Sequence, residues 1–250
     1  MRTAGVTNKG RRHHRNEDAM AALAGNAFVV AVVCDGVSTT VRPDDASQGA
    51  VDAAAAVLLA GGATAPDHAG AYDAARAAVL AVDFVPAPDL GPPSCTYLAA
   101  VITDTAVSLA SLGDCRAYWV DETTAQQLTV DDSWATAQVQ DGLLSAADAY
   151  ADPRAHAITA WLGRDADPTW TPASVDFAPP GPGRLLLVSD GLWNYALEPT
   201  DVVRAMRAGD DPAPLPSARR LVDFANAAGG ADNITVVIVD LPLPKGPAHA

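Results

Sequence analysis

A chain of 250 residues, 49% of them hydrophobic, can close one sizeable core, because the share of surface buried on folding rises with length. Its 30 acidic against 16 basic side chains leave a net charge of −14, which argues against nucleic acid or an anionic membrane surface as partner, since long-range attraction to phosphate is electrostatic. No apolar run reaches the ~20 residues of a membrane span, and Met1 is not followed by a basic, apolar leader, so a cytoplasmic globular protein is expected.

Residues 5–20, GVTNKGRRHHRNEDAM, pass from a short apolar start into a dense polar loop that ends in Glu17-Asp18. The apolar run FVVAVVCDG at 28–36 follows and stops at Asp35-Gly36; a hairpin between the two segments carries Glu17 and Asp18 back beside that stop. Residues 44–82 are alanine-rich and read as two helices, capped by Asp44 or Asp45 and halted at Gly61-Gly62. A proline-rich loop at 86–93 leads into SCTYLAAVI, AVSLASL, CRAYWV and AQQLTV, which read as one antiparallel meander.

At residues 131–156 the pattern turns polar and helical without a strong apolar face, the profile of a mobile insertion beside a site. Strands resume at 173–177 and 184–189, two helices follow at 199–208 and 216–228, and ADNITVVIVDL closes the core. The segment 241–250 reads as a Pro/Gly-rich tail. No internal repeat or linker divides residues 1–240, so one domain is expected. Cys34, Cys95 and Cys115 lie in apolar segments, form no CxxC pair and lack the C-x5-R spacing of a thiol that cradles phosphate; they read as small buried hydrophobes.

The chemistry concentrates where apolar runs break off in acid. LLLVSDGLWN breaks at Asp190-Gly191, FVVAVVCDG at Asp35-Gly36 and VSLASLGD at Asp114, while the closing strand begins with Asp232-Asn233. One Asp-Gly alone reads equally as a turn. Four carboxylates on strands of one core converge at its rim, where they repel and rise towards protonation unless a counter-charge is present. No matching group of Lys or Arg follows those strands, and all-oxygen ligation suits Mg²⁺ or Mn²⁺.

Taken in order, RNEDA, VVCDG, SCTYLAAV, SLGDCRAY, LTVDDSW, ITAWLG, LLLVSDGLW and DNITVVIV resemble the PPM, or type 2C, metal-dependent serine/threonine protein phosphatases, particularly their bacterial members. The resemblance implies an α+β fold, a four-layer α-β-β-α sandwich of two antiparallel sheets flanked by helices. It implies two Mn²⁺ or Mg²⁺ ions and a third, weaker site. Asp35 would bridge the pair, with the Gly36 carbonyl on one of them. Asp190 and Asp232 would hold the first metal, and Glu17 with Asp18 beside it would act on the second. Asp114, with Asp190, would bind the third, and 131–156 would be the flap. The activity implied is hydrolysis of phosphoserine and phosphothreonine in proteins by a water bridging the metals, without a phosphoenzyme. The implied partners are phosphorylated proteins and a cognate serine/threonine kinase, and the implied state is a monomer.

The chain departs from the family pattern at Val37-Ser38-Thr39, where a Gly-Gly is usual, at Cys95 in place of glycine, at Ala160 in place of arginine, and at His13 in place of the phosphate-gripping arginine. If 13–17 is extended, His13 and Arg15 share the face of Glu17 while His14 and Asn16 point away. Arg15 then grips phosphate, and His13 assists or donates the leaving-group proton. The competing expectation is a catalytically quiet member that binds a regulatory partner or phosphopeptide.

Overall fold

Strands buried on both faces read as continuous apolar runs, and VVAVVCD is one: Val29, Ala31 and Val33 point one way into a core shared with Leu185, Leu187, Val237 and Val239, while Val30, Val32 and Cys34 point the other way onto helices. The computed structural model of the chain describes residues 1–122, 124–209 and 211–241. In chain order it contains β1 (Arg2–Asn8), β2 (Asp18–Ala24), β3 (Val29–Asp35), α1 (Pro43–Gly61), α2 (His68–Leu80), β4 (Ser94–Cys95), β5 (Tyr97–Ile102), β6 (Val107–Leu112), β7 (Arg116–Val120) and β8 (Ala125–Gln127). It continues with α3 (Trp134–Gln140), α4 (Ala146–Ala151), β9 (Leu162–Gly163), β10 (Ala173–Phe177), β11 (Gly183–Val188), α5 (Asp190–Trp193), α6 (Pro199–Met206), α7 (Pro214–Ala228) and β12 (Ile234–Leu241).

One sheet has the order β1-β12-β11-β7-β8 and the other β10-β6-β5-β3-β2, with every pairing in both antiparallel. Helices α1 and α2 cover the second sheet through Ala50, Ala54, Leu58 and Ala75. Helices α5, α6 and α7 cover the first through Leu192, Trp193, Val202, Leu221 and Ala225. The result is the four-layer sandwich. No helix among the described residues is long and apolar enough to cross a membrane.

Three local expectations are corrected. The single meander is split: β5 and β6 pair with each other, but β7 pairs with β11 in the opposite sheet. The chain changes sheet at Gly113, whose φ of 101° suits a residue without Cβ. Helix α1 is not capped by Asp44 or Asp45; its N-cap is Arg42 in the left-handed region, Pro43 opens the first turn, and both aspartates lie in that turn, favourably placed towards the positive end of the helix dipole. Leu241 belongs to β12, paired with Gly183, and the rest of the expected tail, 242–250, lies outside the described residues. Cys34, Cys95 and Cys115 are free and buried.

Candidate metal centre

The ends of β3, β6 and β11 and the starts of β2, β7 and β12 lie at one end of the sandwich, and the acidic residues sit on them. Register places Asp18 opposite Asp35. The Asp35 amide donates to Thr96 Oγ1 at 2.9 Å, the Thr96 amide donates to the Asp35 carbonyl at 2.8 Å, and the Gly36 amide donates to the Glu17 carbonyl at 3.1 Å. Ser189 Oγ donates to Asp18 Oδ2 at 2.8 Å and accepts from the Thr235 amide at 2.9 Å, tying β2 to β12. Asp190 opens α5, with Asn194 Nδ2 donating to its Oδ2 at 3.1 Å.

The glycines that follow Asp35 and Asp190 are not left-handed turn residues. They permit close approach: a Cβ on Gly36 would stand 2.5 Å from the Pro43 carbonyl oxygen, and one on Gly191 would stand 1.8 Å from that of Asn233. The repeated Asp-Gly therefore marks backbones crowded together behind a carboxylate.

Those carboxylates perturb one another. Burial, then the charges of Asp18, Asp190, Asp114 and Asp232, hold Asp35 well above the usual carboxylate range. Burial and then Asp114, Asp232 and Asp18 do the same to Asp190. Asp18 is pushed up to about 6, by burial first and less by Asp232, against hydrogen bonds from Thr235 and Ser189 that lower it. Asp114 is pushed up to about 7 by burial and the charge of Asp131, with Arg116 opposing. Asp18 Oδ1 and Asp190 Oδ1 are buried without a hydrogen-bond partner.

Buried acceptors without donors, in a shared negative field, fit hard divalent cations with oxygen ligands. Among the described residues, no three His, Cys, Asp or Glu side chains already form a closed metal-binding group. Mg²⁺-type sites take one or two carboxylates and part of their shell from water rather than from an all-protein cage.

Residues 10–17 form turns and bends rather than an extended strand, so the alternation expected for 13–17 does not hold. Asn233, which the sequence reading gave no role, organises this loop: its Oδ1 accepts from the Glu17 amide at 2.6 Å, and its Nδ2 donates to the carbonyls of Lys9 at 2.9 Å and Arg15 at 3.1 Å. His13 Nε2 lies 3.2 Å from Asp232 Oδ1. Arg15 lies 3.0 Å from Glu17 Oε1 through Nε and 3.3 Å from Asp44 Oδ1 through Nη1. Ser38 Oγ donates to Glu17 Oε2 at 2.5 Å. Arg12, His13, His14, Arg15, Glu17 and Ser38 line one open depression. His14 thus faces the same recess as His13, against expectation, while Asn16 turns away to donate to Thr7 Oγ1.

Asp114 sits where the chain changes sheet, its carbonyl accepting from Trp193 Nε1 at 2.9 Å. The root of the 131–156 segment is tied to this turn, because the Gly113 amide donates to Asp132 Oδ2 at 2.8 Å and the Asp132 amide donates to the Gly113 carbonyl at 2.9 Å. Beside it the buried Asp131 pairs with Arg116, whose guanidinium lies 3.7 Å from the centre of the Trp193 ring. The segment has a small core of its own, Ala135, Ala149 and Ala155 under Trp134 and Leu144, and the small size of those alanines hid the apolar face in the sequence.

No protein-family model matches the chain. The serine/threonine protein phosphatase PstP of Mycobacterium tuberculosis is 30% identical over 155 residues, 62% of this chain, and the chain spans only 29% of that relative's length. Solved structures match across nearly the whole chain. The PPM Ser-Thr phosphatase MsPP from Mycobacterium smegmatis, in complex with cacodylate, has a TM-score of 0.72 and 30% identity, covering 96% of this chain and 97% of that one. The catalytic domain of serine/threonine protein phosphatase PstP in complex with two manganese ions has a TM-score of 0.73 and 25% identity, covering 96% and 97%.

Proposed function

The chain belongs to the PPM serine/threonine phosphatases, and from that premise we propose that it hydrolyses phosphoserine and phosphothreonine esters in proteins, with Mn²⁺ or Mg²⁺ held by the carboxylate cluster. The observation that carries the reading is the cluster of aspartates 18, 35, 114 and 190, each held above the usual carboxylate range by burial and by neighbouring charges that include Asp232, around unpaired oxygens of Asp18 and Asp190. A structural relative in complex with two manganese ions supports the choice of metal.

Asp35, Asp190 and Asp232, with the Gly36 carbonyl, would hold two ions, with Glu17 and Asp18 acting on the second. Asp114 and Asp190 would hold a third. Two divalent ions held there would supply an acidified water as the nucleophile, without a phosphoenzyme, and positive charge for the phosphoryl oxygens. Arg15 offers the phosphate a planar cationic guanidinium. His13 stands at the same rim with Nε2 towards Asp232. That contact holds the imidazole at the rim, where His13 would assist phosphate binding or, as an imidazolium, give the serine or threonine alkoxide its proton. The segment 131–156, hinged on Gly113 and Asp132, is the flap that selects peptides. The substrates are phosphoproteins made by a serine/threonine kinase, met in the cytoplasm by a monomer.

The test is a metal-titrated assay on phosphoserine, phosphothreonine and phosphotyrosine peptides. Turnover of the first two with Mn²⁺ or Mg²⁺, abolished by chelator, is expected. Metal and phosphopeptide binding without turnover would instead make the chain a phosphopeptide-binding member of the family.

A further inference from the structure

Glu17 is fixed along its backbone by three hydrogen bonds: its amide donates to Asn233 Oδ1, and its carbonyl accepts from the Gly36 amide and from Ser47 Oγ. Only its carboxylate remains to be set. Arg15 takes Oε1 and Ser38 takes Oε2 at 2.5 Å, a length typical of a hydroxyl donating to an anion. Ser38 stands on an exposed turn, and its hydroxyl is the donor to Oε2.

The contacts continue outward. Arg15 directs Nε to Glu17 and Nη1 to Asp44, so Nη2 is left for an incoming anion, and half of the side chain is open to solvent on the depression that Ser38 and His13 also line. A phosphate entering there meets the negative charge of Glu17 as well as the cation of Arg15, and a hydroxyl donated to Oε2 both weakens that repulsion and stops the carboxylate rotating away from Arg15. We propose that Ser38 is a positioning residue for phosphate recognition in this protein: by holding Glu17 it presents Arg15 in one orientation to the phosphoryl group. The proposal rests on the phosphatase reading of the same site, and two of its three readouts do not need turnover.

The experiment compares the parent with Ser38→Ala, which removes only the hydroxyl, and Ser38→Thr, which keeps it. Calorimetry measures the Kd of inorganic phosphate for the Mn²⁺-loaded protein, NMR follows the Arg15 Nε–H of the metal-free protein, and kinetics on a phosphothreonine peptide separate KM from kcat. Ser38→Ala should raise the phosphate Kd and KM roughly three- to tenfold, the range of losing one ordinary hydrogen bond. It should leave kcat within twofold and broaden or lose the Arg15 Nε–H signal, and Ser38→Thr should restore all three. An unchanged phosphate Kd with an unchanged Arg15 signal overturns the proposal, as does a fall in kcat with Kd unmoved. If no variant hydrolyses any phosphoester while the Kd and the Arg15 signal shift as stated, the catalytic reading fails and the role of Ser38 stands.

Discussion

Replacing Asp131 by Asn probes the joint between the sandwich and the 131–156 segment. Asp131 and Arg116 have side chains only 2% and 3% exposed, with Nη2 to Oδ2 at 2.6 Å and Nε 3.0 Å from both carboxylate oxygens. Tyr118 OH accepts from Arg116 Nη1 at 3.3 Å, and Gln127 Nε2 donates to Asp131 Oδ1 at 3.3 Å. Asn keeps the shape but leaves the guanidinium buried on an uncharged partner, a change that costs about 3–5 kcal/mol, out of the ~5–15 kcal/mol typical of a whole domain. Arg116→Met combined with Asp131→Leu removes both charges and should be less destabilised than Asp131→Asn alone, because a buried pair replaced by apolar groups of similar volume is close to neutral. Urea unfolding of the chelator-treated protein reads both effects as midpoint shifts at constant slope. A loss under ~1 kcal/mol in Asp131→Asn, or a double variant weaker than the single, would refute the reasoning.

The carboxylate cluster makes stability depend on pH in the metal-free protein. Asp18 is raised from 3.8 to about 6 in the fold, so between those values the native state binds more protons than the unfolded chain and stability falls as pH rises, by about 3 kcal/mol for this group alone. Thermal midpoints in chelator should be higher at pH 5 than at pH 7, and added Mn²⁺ should stabilise more at pH 7; the opposite order in either comparison contradicts the assignment. Asn233→Ala removes three hydrogen bonds at a position 1% exposed. It should cost about 2–3 kcal/mol and speed hydrogen exchange in residues 9–17 more than in β5, whereas uniform exchange changes would deny Asn233 its local role.

What the sequence disclosed and what it concealed divide by the range of the interaction. Asp18 opposite Asp35 was legible because a hairpin is local and both strands carry a strong apolar pattern. The change of sheet at Gly113 was not, because a strand buried on both faces, such as VSLASL or RAYWV, carries no alternation to say which sheet it joins. The Asp-Gly pairs were visible as anomalies, but turn chemistry and close backbone approach leave the same letters, and only the carbonyls of Pro43 and Asn233 against Gly36 and Gly191 decide for approach. Asn233 was overlooked because its partners, Lys9, Arg15 and Glu17, lie more than two hundred residues away in the chain. Its one sequence signal is a polar residue at the mouth of a largely apolar strand. The contacts of Ser38 and Arg15 with Glu17 needed the bent loop at 10–17, which propensity did not distinguish from an extended one.

The central claim is that the carboxylates at the sandwich end hold the divalent ions that make the protein a phosphatase. Its most direct test is turnover of p-nitrophenyl phosphate by chelator-stripped protein during titration with Mn²⁺ or Mg²⁺, for the parent, Asp35→Asn and Asp190→Asn. The account predicts silence without metal, recovery on addition, and a fall of at least ~100-fold in each variant, since even changes behind the ligands of metal sites cost about 10–100-fold. Turnover that survives exhaustive chelation, or near-parental turnover in Asp35→Asn, would contradict it.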